Sequence, residues 1–316
     1  MDIILHVGMP KTGSSALQKI LFDNRLWLRK QGVLYPENVT SDDNPKHQWL
    51  SNDIFKGNFN TLKNVLDSAS EFERVILSTE SISNEIYNYP TEFISGFVSL
   101  VSDYGKVKLC FVDRELEHWV KSYYKQAIAN QSSHRMPFYS TSDLFSNFIE
   151  DSTISRFMCR EKLINDLSFY FNAVVEVFNY QDCDMMEIAE WRAGIKLPSA
   201  IRPESRNVSI SDPAAEVMRQ INGLISNRRE KYAWTRVLLE VCPNSSAVMH
   251  SLADRADTAL FNSLDISVLD SIEVIDNPPL RFTKQEIVDI CSAMHAYLLS
   301  VRNYSQSQCS SHKSKC

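Results

Sequence analysis

The sequence predicts an α/β fold: a central parallel sheet flanked by helices, followed by a mostly helical C-terminal half. Three observations carry this. Apolar, β-rich runs recur at residues 3–7, Arg74–Ser78 (RVILS), 106–112 (KVKLCFV) and 173–178 (AVVEVF). Segments of helical length separate them, as the crossovers of a parallel sheet require. Beyond the fourth run the pattern becomes helical, with N-cap signals at Ser211 before Asp212-Pro213 and at Thr283 in the capping box TKQE.

The first run reads as a buried strand that enters a loop over residues 8–15 and then a helix over 16–31. Leu17, Leu21, Asn24 and Leu28 fall along one side of that helix, with Ile20 and Trp27 beside them, and Gly32 is placed to end it. Residues 33–35 add a short strand. Residues 36–58 and 130–143 are rich in Asn, Asp, Ser and Pro and read as irregular loops, the kind that shape substrate pockets. Residues 303–316 are polar and of low complexity, a frayed tail. No internal repeat is present. The expected organisation is one α/β domain over 1–302 and a flexible tail over 303–316.

At 316 residues, with 44% hydrophobic and 23% charged residues, the chain has ordinary globular composition. A net charge of −6 argues against a general polyanion-binding surface, so nucleic acid is not an expected partner. The seven cysteines are scattered and form no CxxC pair, which fits reduced thiols and no zinc knuckle. The apolar opening lacks a basic leader, and no run reaches the roughly 18 apolar residues of a membrane span. The expected location is cytoplasmic.

The chemistry concentrates in the loop HVGMPKTGSSALQ. A loop that leaves a buried strand and enters a helix presents free N–H groups and the positive end of the helix dipole, a ready anion site. Gly8 and Gly13 have the GxxxxG spacing of a nucleotide-triphosphate loop. The next residue is Ser14, where that loop requires lysine; the lysine stands inside the loop at Lys11. The shift points to a pocket that neutralises a smaller anion without a loop-bound magnesium.

On these residues the sequence resembles the sulfotransferase family, whose 5′-phosphosulfate loop has the form PKTG(S/T)(S/T), here Pro10-Lys11-Thr12-Gly13-Ser14-Ser15 followed by Ala16-Leu17-Gln18. The resemblance implies a P-loop NTPase-like sheet and the donor 3′-phosphoadenosine 5′-phosphosulfate. It implies that Lys11 touches the bridging oxygen of the leaving group while Thr12, Gly13, Ser14 and Ser15 bond the phosphate. It also gives meaning to Arg114 and Ser122, a strand-end arginine followed eight positions later by serine, the family's way of holding the donor's 3′-phosphate. Arginine suits that role because its planar fork makes two parallel charge-assisted bonds to phosphate oxygens. His118, Lys121 and Lys125 lie on the same helix side and read as charges facing water.

Sulfuryl transfer is an in-line displacement governed by positioning and electrostatics, with no obligatory metal and with a base for the acceptor's proton. Glu80 is the first candidate, because RVILS runs into Thr79-Glu80-Ser81 and places a carboxylate just past a strand's C-terminal end. The bland alternative is a helix-start glutamate with Ser78 and Ser81 as caps. His47, in NPKHQWL, is the competing base. His6 reads as a packed strand residue, His134 and Arg135 as loop residues, and Arg206 or Asn207 as possible nucleotide or acceptor contacts. The acceptor implied is a hydroxyl or amine of a carbohydrate or glycoconjugate. The rival functions are a P-loop kinase or hydrolase, with Asp113 holding a metal, and an inactive nucleotide-binding protein.

Overall fold

A computed structural model describes residues 1–37, 44–198, 209–244 and 247–313. Arg206 and Asn207 lie outside the described residues. The sequence alone favours one domain over 1–302, whereas the chain divides into two compact units. One comprises residues 1–119 and 152–206, the other 120–151 and 207–316.

The first unit is built on five parallel strands: β1 (Asp2–Gly8), β2 (Val33–Leu34), β3 (Arg74–Ser78), β4 (Lys106–Asp113) and β5 (Val174–Asn179), in the order β2-β3-β1-β4-β5. All four adjacent pairs are parallel, and Ile4 of β1 sits between Ile76 of β3 and Lys108 of β4. The helices follow from the sequence spacing with two adjustments. The helix expected over 16–31 is two helices, α1 (Ser14–Asp23) and α2 (Arg25–Lys30), because Asn24 is buried and its side-chain amide donates to the Ile20 carbonyl at 2.8 Å, competing with the backbone ladder. The stretch expected to be irregular over 36–58 contains α3 (Gln48–Lys56), whose Trp49, Leu50 and Ile54 are buried and which Gly57 ends in a left-handed conformation.

The unit continues with α4 (Asn60–Ser68), α5 (Ser81–Glu85), α6 (Thr91–Tyr104) and α7 (Leu116–Ala129), the last of which the division crosses after Trp119. After α8 (Phe145–Glu150) of the second unit, the first resumes with α9 (Ser152–Met158), α10 (Arg160–Phe171) and α11 (Met185–Ala193). Alternation along the strands sorts the core. Ile4, Ile76, Cys110 and Val112 pack with Leu17, Ile20 and Leu21 of α1 and Ile188 and Ala189 of α11. The opposite phase, Ile3, Leu5, Val75, Leu77, Leu109 and Phe111, is equally buried, so the strands read as unbroken apolar runs.

The second unit is helical: the remainder of α7, α8, α12 (Asp212–Leu224), α13 (Arg228–Val241), α14 (Ala247–Ala253), α15 (Ser267–Asp270) and α16 (Lys284–Lys313). Both N-cap signals are realised. Ser211 Oγ accepts from Ala214 N–H, and Thr283 and Glu286 exchange the two bonds of a capping box. Helix α16 runs through most of the segment read from sequence as a tail. In this unit's interior Glu216 accepts from Arg219 at 2.9 Å and from Asn277 at 2.9 Å, so the buried carboxylate is neutralised and bonded. No helix among the described residues is long and apolar enough to cross a membrane.

Helices lie against both faces of the sheet, so ligands are left the carboxyl ends of the strands, at the point where connections depart in opposite directions. That point is the end of β1, flanked by β3 and β4. Gly8 closes β1 with φ +145°, and a Cβ there would stand 2.0 Å from Ser83 Oγ and 2.9 Å from Ser83 Cβ. Gly8→Ala is therefore expected to destabilise the fold by about 2 kcal/mol or more. A urea midpoint unchanged from the parent would contradict this close approach.

Candidate functional site

The loop between β1 and α1 turns its carbonyls inward. The Met9 carbonyl accepts from Thr12 Oγ1 at 2.6 Å and from Ser14 Oγ at 3.2 Å. The Pro10 carbonyl accepts from Trp119 Nε1 at 2.9 Å, and the Lys11 carbonyl from Arg114 Nη1 at 3.2 Å. With three consecutive carbonyls anchored, the loop enters α1 through Gly13 in the left-handed conformation at φ 79°. Ala16 N–H bonds back to the Gly13 carbonyl, and helix geometry leaves the amides of Gly13, Ser14 and Ser15 without intrahelical acceptors. The Thr12 and Ser14 hydroxyls, expected to bond a phosphate, spend their protons on the loop itself. The backbone amides are the groups the loop offers to an anion. Tyr180 closes one side: a Cβ on Gly13 would lie 2.8 Å from its ring.

Glu80 occupies the N-cap position of α5 but makes no side-chain cap bond. Its carboxylate turns instead to Lys46 Nζ, 2.7 Å from Oε1, and to Gln18 Nε2 of α1, 3.2 Å from Oε2. Burial by itself would raise its pKa; the charge of Lys46 and the bonds from Lys46 and Gln18 outweigh it and hold the carboxyl below its ordinary value. Of the expected caps, Ser78 instead bonds His6 Nδ1 at 2.7 Å, and Ser81 bonds Gln48 at 2.7 Å. Lys46 carried no motif that sequence reasoning could have seized, and Gln18, although it closes the loop motif, gave no sign of its pairing with Glu80.

His47 is fully enclosed, and both ring nitrogens are committed. Nε2–H donates to the Pro36 carbonyl at 2.9 Å, and Nδ1 accepts from Ser78 N–H at 2.9 Å. Its own backbone N–H bonds the Ser78 carbonyl at 3.0 Å. The acceptor nitrogen a general base would use is taken by the main chain, and burial pushes the imidazole down to about 4. His47 thus fastens the segment carrying Lys46 to the end of β3. His6 is likewise buried, and burial lowers it well below its ordinary value.

Arg114 leaves the end of β4 and lines a cleft of about 460 Å³ with Asp113, Leu116, Arg160, Asn179 and Gln181. Its guanidinium stands 5.2 Å from the Tyr180 ring centroid. Arg160, at the start of α10, donates from Nε to Asp113 Oδ1 at 3.0 Å and stacks over Trp119 at 4.1 Å. Among the described residues, Arg114 Nε and Arg160 Nη2 are buried without an acceptor. Two guanidinium groups that line one cleft bring positive charge to it, an arrangement that favours an anion there. Arg160 was not legible in the sequence, because it begins a helix with no motif around it.

The remaining predicted residues divide between the two units. Ser122 lies on the part of α7 that belongs to the second unit, and His134 and Arg135, past the end of that helix, belong to the same unit. His118 pairs with Glu115 on the surface at 2.9 Å. Lys121 and Lys125, expected to face water, both pair with Asp212, at 2.7 and 2.9 Å, and Lys125 is buried. The sequence pattern hides this because their partner lies 87 or more positions away. Comparison with family models, curated proteins and solved structures finds no match.

A histidine buried in its neutral form binds fewer protons folded than unfolded. Stability from His47 is complete above its unfolded pKa near 6.5 and drains as pH falls toward about 4, a loss of ~3 kcal/mol over that window. Urea titrations between pH 7 and 4 are expected to show this drain, and a His47→Gln variant to show it reduced. Parallel profiles for the two proteins would place the titration elsewhere.

Proposed function

We propose that the chain is a sulfotransferase that moves a sulfuryl group from 3′-phosphoadenosine 5′-phosphosulfate to a hydroxyl or amine of a carbohydrate or glycoconjugate, on a P-loop NTPase-like sheet. The observation that carries this reading is the loop Pro10–Ser15, its carbonyls anchored and its amides free at the start of α1, with Lys11 inside it. The two orphaned guanidinium donors of Arg114 and Arg160 suit a second anion of the same nucleotide. The donor, when bound, supplies an activated sulfuryl group and a phosphate leaving group. Arg114 and Arg160 bind its distal phosphate, and the amides of Gly13, Ser14 and Ser15 bind the proximal one. Lys11 meets the negative charge that develops on the leaving oxygen. Glu80, held ionised by Lys46, takes the acceptor's proton as the new bond to sulfur forms.

A kinase or hydrolase reading is less well supported, because Asp113 is engaged by Arg160 Nε and by Arg114 N–H. Calorimetry with 3′-phosphoadenosine 5′-phosphate and with ATP plus magnesium decides between them. The first is expected to bind, and tight binding of the second alone would overturn the proposal.

Turnover of labelled donor should fall about 10² to 10³-fold in Lys11→Ala with little change in donor affinity. Glu80→Gln should cost about 10² to 10⁴-fold in kcat. Because Lys46 and Gln18 hold the carboxyl low, the acidic limb of the parent's pH profile should lie below the ordinary carboxylate range. Equal turnover in parent and Glu80→Gln would remove Glu80 as the base.

Arg114→Ala and Arg160→Ala should each weaken binding of 3′-phosphoadenosine 5′-phosphate about ten- to a hundredfold, as the loss of a charge-assisted phosphate contact requires. For Arg160→Ala the affinity for adenosine 5′-phosphosulfate, which lacks the distal phosphate, should change far less, whereas Arg114→Ala should lose affinity for it too, because Arg114 also anchors the Lys11 carbonyl. Equal losses for both ligands in Arg160→Ala would refute the assignment of the distal phosphate to this cleft.

A further inference from the structure

The second unit contains a buried amine that the proposed reaction does not use. Lys231, in the first turns of α13, is 1% exposed and is one of the residues lining a cleft of about 360 Å³ together with Gln131, Tyr139, Ser140, Asn222 and Arg228. Its Nζ donates to the Ile128 carbonyl at 2.7 Å and to Asn222 Oδ1 at 2.6 Å. The Asn222 amide cannot be turned round, because Nδ2 is fixed by the carbonyls of Ile128 and Thr141, both at 3.0 Å. Both partners of the amine are therefore neutral oxygens.

A lysine in such a place is poorly set to carry charge. It is shut away from water, and among the described residues it pairs with no carboxylate. It also stands near the positive end of a 14-residue helix that begins with Arg228 and Arg229. Glu230, the acidic residue of that turn, is engaged by Asn227 and by Ser226 N–H. Asn222 and Ile128, which face Lys231 from α12 and α7, bring no charge. Burial pulls the ammonium down to about 7. A neutral amine has two N–H groups, and two acceptors are present, so its lone pair is the one valence left over.

We propose that Lys231 is a nucleophilic lysine and that the cleft it lines is a site for small polar carbonyl compounds, which it takes up as an imine. The nitrogen lone pair forms a bond to the carbonyl carbon, the carbonyl oxygen leaves as water with two protons, and a C=N bond replaces C=O. One proton returned to nitrogen keeps a donor for Asn222 Oδ1. The Ile128 carbonyl is not orphaned, since it retains the bond from Asn222 Nδ2.

The test uses the unaltered protein with glyceraldehyde as probe and cyanoborohydride to reduce any imine to a stable secondary amine, read by peptide mass spectrometry. At pH 7 Lys231 is expected to label about tenfold faster than Lys63 and Lys196, whose ammonium groups are bonded to Asp67 and Glu190 and titrate above the ordinary lysine value. Its rate should level off above neutral pH while theirs continue to climb. Asn222→Asp sets a carboxylate on the amine, so labelling of Lys231 should fall to the surface rate with the circular dichroism spectrum unchanged. Lys231 labelling no faster than the two surface lysines, or still rising with them to pH 10, would overturn the proposal. If Asn222→Asp does not fold, the pH profile of the parent decides alone.

Discussion

The first unit depends on one constraint: the loop after β1 must be held by its carbonyls. Met9, Pro10 and Lys11 give theirs to Thr12 and Ser14, to Trp119 and to Arg114, so the chain enters α1 with amides unspent. A loop free to rotate would satisfy those amides on itself, and the positive end of α1 would have nothing to organise. Gly8 is part of the same constraint, since α5 packs where its side chain would be. The parallel sheet contributes the location, bringing the ends of β1, β3 and β4 side by side.

Around that loop, charge is arranged in two settings with different physics. Glu80 has a cation and an amide on its two oxygens, so it stays ionised despite partial burial. Among the described residues, Arg114 and Arg160 keep donors that no acceptor fills, although Asp113 neutralises part of their charge. A satisfied carboxylate and unsatisfied guanidinium groups within one unit are unequal in their appetite for a ligand. In the proposed reaction the first would serve proton transfer and the second would hold an anion.

Much of the fold was legible because its signals are local. Four of the five strands lie where apolar β-rich runs predicted them, the short β2 falls within the strand expected over 33–35, and the caps at Ser211 and Thr283 follow from chemistry within three residues. The break at Asn24 and the helix over Gln48–Lys56 were missed because each depends on what is buried, a property of the tertiary structure. Within the site, Lys11 announced itself by its place in the loop motif, and Glu80 and Arg114 by position just past strand ends. Lys46, Gln18 and Arg160 did not, because each acquires meaning only through a partner 34 to 62 positions distant. Lys125 was misread for the same reason, its counter-charge at Asp212 being invisible along the helix.

The clamp made by His47 has a consequence for how activity losses are interpreted. The ring ties Pro36 and Ser78 together while the adjacent Lys46 reaches Glu80. Substituting the histidine would unfasten the cation that keeps the carboxylate charged, and so, in the proposed reaction, would silence proton transfer at a distance. An inactive His47 variant would look like the loss of a base while reporting the loss of a hinge pin. Chemical rescue with imidazole, which restores a missing base but not a missing tether, separates the two.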